Sequence, residues 1–310
     1  MIKVQIDFGG ANRPMEEGLF HYFQQCIQSL KAAGRLRTSA TYRQTLLSLR
    51  HYRQEVDLPL DEITSTFAIA YEGWLRSRHL CRNSTSFYMR ILRAVYNRAV
   101  RDGLTPDRQP FREVYTGIDR TAKRALTAAD IHRIRTADLS DDPQMAFARD
   151  MFILSFFLRG IAPIDLSLLL KSDLNCNFLT YCRRKTGQSL TIRIEPSIQA
   201  ILDRYPCPDS PYLLPLIRKA DGTELQQYRS ATQTVNRNLR KLATRLNIHQ
   251  PLTLYVARHS WASIAQANQV PLSVISGAMG HDSERTTQIY LSSILTEDID
   301  KVNQMIMKRV

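Results

Sequence analysis

The sequence predicts a mainly α-helical chain with one small β-sheet, divided into two domains. Three observations predict this. Residues 16–103 carry apolar residues at helical spacing, and a stretch of mixed charge with two prolines follows at 104–125. In the remainder, only the segment around 178–195 alternates as paired strands do. With 310 residues, 44% of them hydrophobic, the chain has material for two cores and is not a disordered tail.

Residues 1–15 read as a short irregular lead without the apolar stretch of a signal peptide. The clearest helix of the first domain is "SFYMRILRAVYNRAVRDG". At 100° per residue Tyr88, Met89, Leu92, Val95, Tyr96, Ala99 and Val100 share one arc, and Arg90, Arg93, Arg98 and Arg101 share the opposite one. The second arc is either a solvated charged face or a surface for an anion. The absence of balancing acids along it favours the anion. Residues 104–125 read as a linker. Thr127, with Asp130 three residues on, reads as a capping-box start to a second domain at 126–295. "MFILSFFLRG" predicts a buried helix ending at Gly160, and Pro163 suits the first turn of the next. "FLTYCRRKTGQSLTIRIE" predicts a hairpin broken at Lys185–Gln188, with helices from there to the end. In the tail, 296–310, Thr296 suits a helix cap and Ile299, Val302 and Ile306 form an apolar stripe.

The formal charge is +13, with 33 arginines to 9 lysines. Such a balance points to a polyanion, and nucleic acid is the commonest. The arginine bias fits phosphate, because a planar guanidinium grips two oxygens at once. Five cysteines without a Cys-x-x-Cys pair, and seven histidines without ligand spacing, predict neither a disulfide scaffold nor a protein-held metal. A cytoplasmic protein without a membrane span is expected.

Three strings carry chemistry: "RRKTGQSL" at 183–190, "LTLYVARHSWASIA" at 252–265 and "GAMGHDSERTTQIY" at 277–290. Each alone is weak. In this order and spacing, with Arg258-His259, then Gly280-His281, then Tyr290 nine residues past His281, they resemble the tyrosine recombinase (phage integrase) family. The resemblance covers nearly the whole chain.

It implies a helical core-binding domain at 16–103 and a tyrosine-recombinase catalytic domain, closed as a C-shaped clamp on double-stranded DNA. It implies that Tyr290 attacks a DNA phosphodiester to form a 3′-phosphotyrosyl bond, without a cofactor. It matches Arg258 to one of two family arginines, Lys185 to the hairpin lysine that protonates the leaving oxygen, and His281 to a position that hydrogen-bonds the phosphate. The chemistry needs such groups. Charge develops on the non-bridging oxygens, and fixed guanidiniums stabilise it. A phenol of pKa near 10 also needs cations beside it.

Two positions depart from the family. Tyr255 stands where a histidine is usual, three residues before Arg258. Ala162 stands in the slot of the first arginine, within "RGIAPIDL". Arg183 is the favoured substitute, since on a strand it would share the face of Lys185. Arg159 is the other candidate, and neither remains open as a third case. Asp165 then reads as a carboxylate that orients an arginine.

The reading is a site-specific recombinase acting by integration, inversion or resolution at short repeats. The short lead argues against an added arm-binding domain. A type IB-like topoisomerase and a catalytically inactive DNA-binding protein share the motifs. The resemblance further implies a tetramer on paired sites, linked by exchange of the C-terminal helix.

Overall fold

The computed structural model describes residues 18–119 and 125–281, with Ser283, Glu284, Thr287, Gln288 and Met307. The lead at 1–15, Tyr290 and the tail beyond Leu295, Met307 excepted, lie outside the described residues. The chain forms two units, Met1–Thr121 and Ala122–Val310.

The described part of the first unit is helical. It holds α1 (Leu19–Ala32), α2 (Leu36–Tyr52), α3 (Ser65–Ser77) and α4 (Arg82–Arg101). Thr64 caps α3 by accepting the Phe67 N–H. The apolar arc of α4 does what its spacing predicts: Met89, Leu92, Val95, Tyr96 and Ala99 are buried against Leu19, Phe23, Leu49 and Tyr71. Each large side chain so buried is worth about 1.5–3 kcal/mol relative to exposure. Tyr52, Phe67, Tyr71 and Trp74 add a run of ring contacts. The stretch after α4 is irregular yet packed on this unit. Phe111 and Val114 enter its core, and Pro106 O accepts the Tyr96 hydroxyl at 2.9 Å.

The second unit opens with α5 (Ala128–Thr136). Its capping box is complete: Thr127 Oγ1 accepts the Asp130 N–H and Asp130 Oδ2 accepts the Thr127 N–H. Next come α6 (Pro143–Phe157) and the one-turn α7 (Pro163–Ser167), each with proline in its first turn. The expected helix end at Gly160 falls earlier. α6 stops at Phe157 because Arg159 and Gly160 both take left-handed backbone, φ +57° and +70°.

The sheet has three antiparallel strands in the order β1 (Leu174–Asn175), β2 (Phe178–Cys182), β3 (Ser189–Arg193). Leu179 pairs with Ile192 and Tyr181 with Leu190. β1 went unpredicted. Two residues are too few to alternate, and its turn uses Cys176 and Asn177 at positive φ in place of the usual Asn-Gly.

Four helices complete the described part: α8 (Pro196–Leu202), α9 (Glu224–Arg245), α10 (Leu254–Ala267) and α11 (Leu272–Met279). α6 is mostly apolar in its second half, and its Met151, Phe152, Ile153 and Leu154 are buried in the centre of this core. Both α9 and α10 pack on it. Among the described residues no helix is long and apolar enough to cross a membrane.

Candidate active site

Arg258 lies on the buried side of α10 and is 3% exposed. A buried guanidinium needs acceptors, and the chain brings them from two other places. Nη1 donates to Gly160 O at 2.6 Å, and Nη2 donates to Met279 O at 2.7 Å and to His281 Nε2 at 3.0 Å. Gly160 has to be glycine. A Cβ there would stand 2.8 Å from Arg258 Cα, and the backbone is left-handed. The turn that stops α6 is therefore also the turn that lets α10 come close enough for the bond.

Gly280, φ +62°, ends α11. Its N–H donates to Gly277 O, and the His281 N–H donates to Ser276 O, both at 3.0 Å. This glycine-terminated cap turns His281 inward, where it is buried. Gly280 O accepts Arg183 Nη1 and, at 3.2 Å, Thr186 Oγ1. The tip of the β2–β3 hairpin is thus tied to the end of α11.

Arg183 is 6% exposed, and Lys185 is exposed. The two do not share a strand face, contrary to the expectation from alternation. β2 ends at Cys182, and the backbone turns at Arg183, whose O accepts the Gly187 N–H at 2.8 Å. Alternation lapses inside a turn. Arg183 is nevertheless buried among the same groups as Arg258. Among the described residues its Nε has no hydrogen-bond partner.

Asp165, at the third position of α7, is buried, and its Oδ1 accepts the Arg184 N–H at 3.1 Å. Burial raises its pKa, while that N–H and then Arg183, Arg258 and Arg184 pull it back down. Tyr181 on β2 lies beside the same groups. Burial pushes its phenol up to about 12, with Asp165 adding to the rise and Arg258, Arg183 and Arg159 opposing it. His281 moves the other way, down to about 4, because burial and then Arg258, Arg183 and Lys185 disfavour a further positive charge. At neutral pH it is an uncharged ring.

Arg258, Arg183, His281 and Asp165 therefore come together, with Lys185 and Arg159 close enough for their charge to be felt. Arg159 itself is half-buried. Tyr255 is 48% exposed, with its ring edge-on to His259 at 5.0 Å. Ala162 occupies the position just before α7. Sequence reasoning passed over Tyr181, which reads as ordinary strand core. It also passed over Thr287, fully buried with Oγ1 2.7 Å from His281 Nδ1. Its one signal was a small hydroxyl residue six positions past His281 in a polar run. Among the described residues no group of His, Cys, Asp and Glu could hold a metal ion.

In the first unit, Arg93 Nη1 donates to Thr116 Oγ1 at 2.8 Å and Arg98 Nε lies 3.7 Å from Asp102 Oδ2. The arc without acids acquires one where the chain turns past α4. Arg90 Nε reaches Ser86 O at 3.4 Å, and Arg101 is exposed.

Residues 18–114 match the phage integrase SAM-like domain, and residues 185–295 match the phage integrase family. Tyrosine recombinase XerA of Pyrococcus furiosus is 24% identical over 248 residues, 77% of this chain and 81% of that one. Tyrosine recombinase XerC of Rhizobium meliloti is 30% identical over 182 residues, 54% of this chain and 53% of that one. The fold is similar to that of a lambda integrase (75–356) dimer bound to a COC′ core site, with a TM-score of 0.65 and 17% identity over 89% of this chain and 96% of that one. It is also similar to that of the Tn1549 transposon integrase in complex with transposon right end DNA, with a TM-score of 0.64 and 14% identity over 90% and 98%. With both domain families matched in order along the chain, and curated relatives of one kind, this protein belongs to the tyrosine recombinase (phage integrase) family of site-specific enzymes that cleave and rejoin DNA strands.

Proposed function

We propose that the buried cluster of the second unit is where this recombinase holds the scissile phosphate, and that Tyr290 is the nucleophile. Tyr290 gives up its phenolic proton to solvent, its oxygen attacks the phosphorus, and the bond to the 5′-oxygen breaks. A 3′-phosphotyrosyl bond and a free 5′-hydroxyl result. Lys185, on the exposed turn, supplies the proton to the leaving 5′-oxygen. Attack by the 5′-hydroxyl of a second strand then reverses the step. One phosphodiester-like bond replaces another each time, so no cofactor is consumed.

The observation that carries this reading is Arg183. It is a buried guanidinium whose Nε lacks an acceptor among the described residues, beside Arg258 and His281. An unsatisfied buried N–H of a charged group is costly, and a phosphate oxygen would satisfy it. Arg183 thereby supplies the second charge that Ala162 withholds. Arg159 supports a lesser role, since it is half-buried on left-handed backbone. Asp165, buried and within electrostatic reach of Arg183 and Arg258, is the carboxylate that helps orient an arginine. Tyr255, three residues before Arg258 on the same helix, is a phenol that can donate a hydrogen bond in the histidine's place but does not shuttle a proton easily near pH 7.

The DNA partner is a duplex, contacted through the phosphates by basic faces that include Arg90 and Arg101. A tetramer forms on paired sites, with the segment after Leu295 passed to a neighbouring protomer. Structures similar to this chain include a lambda integrase tetramer bound to a Holliday junction. A substrate nicked so that the released fragment diffuses away tests the nucleophile. Wild type should accumulate a covalent adduct, and Tyr290→Phe should bind the same DNA without forming one. An adduct with the phenylalanine variant would place the nucleophile elsewhere.

A further inference from the structure

The hydrogen bonds of His281 decide its tautomer. Nε2 lies 3.0 Å from Arg258 Nη2. A guanidinium has no lone pair to offer, so Nε2 is the acceptor and carries no proton. A neutral imidazole then carries its proton on Nδ1, and Nδ1 lies 2.7 Å from Thr287 Oγ1. Thr287 therefore accepts. Both residues are buried, His281 at 8% and Thr287 at 0% exposure, so water does not compete for these bonds. The chain of contacts runs Thr287 to His281 to Arg258, and from Arg258 to Gly160 O and Met279 O.

We propose that Thr287 is a positioning residue: by accepting the Nδ1–H of His281 it keeps the Nε2 lone pair turned to Arg258, and so sets the aim of that guanidinium. The charged groups facing His281 agree with an uncharged ring. Arg258 comes from α10, and Arg183 and Lys185 come from the hairpin turn; all three are cations that oppose protonation. Thr287 lies three residues before Tyr290 in the chain. A histidine held by an outer partner is a recurring device, and loss of such a partner costs about 10–100-fold at metal sites.

The inference rests on the reading of this cluster as the phosphate site, and the test separates the two. In the full-length wild-type chain with ¹⁵N-labelled histidine, His281 should show a protonated Nδ1 and a bare Nε2 at pH 7. Its signal is identified by its loss in His281→Gln. Thr287→Val, which keeps the shape and removes the oxygen, should lower the rate of adduct formation roughly 10–100-fold and mix the two tautomers. Thr287→Ser, which keeps the oxygen, should retain most of the rate and the wild-type tautomer. An Nε2-protonated or doubly protonated ring in wild type overturns the proposal whether or not any variant folds. So does a Thr287→Val protein with wild-type rate and tautomer. Failure of wild type to form any Tyr290-dependent adduct would instead overturn the phosphate-site reading, and leaves the tautomer measurement to judge Thr287 separately.

Discussion

Arg183 and Arg159 stand 24 positions apart in the chain, and burial separates them. Arg183 is enclosed and tied to Gly280 O, whereas Arg159 is half-buried on strained backbone. Loss of a preorganised charge donor costs about 10²–10³ in rate. Arg183→Ala should therefore slow adduct formation by about that factor, and Arg159→Ala by clearly less. Ala162→Arg, which restores the family's slot, should recover part of the Arg183→Ala loss. Equal and small effects of the two single variants in single-turnover cleavage would remove both from the site. His281 predicts a stability signature as well. Its pKa is held near 4 in the folded chain and returns to about 6.5 on unfolding. Above pH 6.5 neither state binds the proton. As pH falls from about 6.5 towards 4, only the unfolded state does, so stability is lost across that window and the loss levels off below it. The Tm of wild type should fall through this range more steeply than that of His281→Gln, and parallel curves would contradict the shift.

At the scale of elements, α4 has two uses on two faces. Its apolar arc builds the first core, and its arginine arc is divided by partners within the chain: Arg93 is bonded to Thr116 and Arg98 lies beside Asp102. Donors already engaged give less to a phosphate. Neutralising Arg90 and Arg101 together should flatten the dependence of log Kd on log salt by up to about 0.9 for each phosphate that then goes without its cation. Neutralising Arg93 and Arg98 should flatten it less. An equal change for both pairs in salt-titrated binding would show that the internal partners give way to DNA. α6 and α7 divide their labour differently. Proline begins each and left-handed residues follow the first, so that this core helix can stop sharply and offer Gly160 O to Arg258.

For the whole molecule, the central expectation concerns assembly. The sequence predicts an apolar stripe of Ile299, Val302 and Ile306 in the tail, and a helix bearing such a stripe would need a surface to cover it. Deleting the residues after Leu295 should leave binding to a single site intact, and should impair paired-site assembly and recombination. Gel mobility on single and paired sites distinguishes these outcomes. A truncated protein that loses single-site binding would assign the segment to its own domain.

The sequence alone determined the family, the helical character, the hairpin, the capping box at Thr127 and Asp130, and the candidates Arg258, His281, Lys185 and Tyr290. The helices, the hairpin and the cap are local, where 3.6-residue and two-residue periods and cap chemistry leave a direct trace; the family and the site candidates rest on the order and spacing of three strings along the chain. Tertiary structure decided what depends on contacts between segments. It buried Arg183 while leaving Lys185 exposed, because the chain leaves β2 at Cys182 and turns. It paired Arg98 with an acid lying just past its own helix, and it ended α6 at Phe157 so that Gly160 could meet α10. It also assigned His281 its tautomer through Thr287 and Arg258, one six residues away and the other on a different helix. A hydrogen bond between distant segments has no period for a sequence to display, so the charges and protons of this site became readable only once the chain had folded around them.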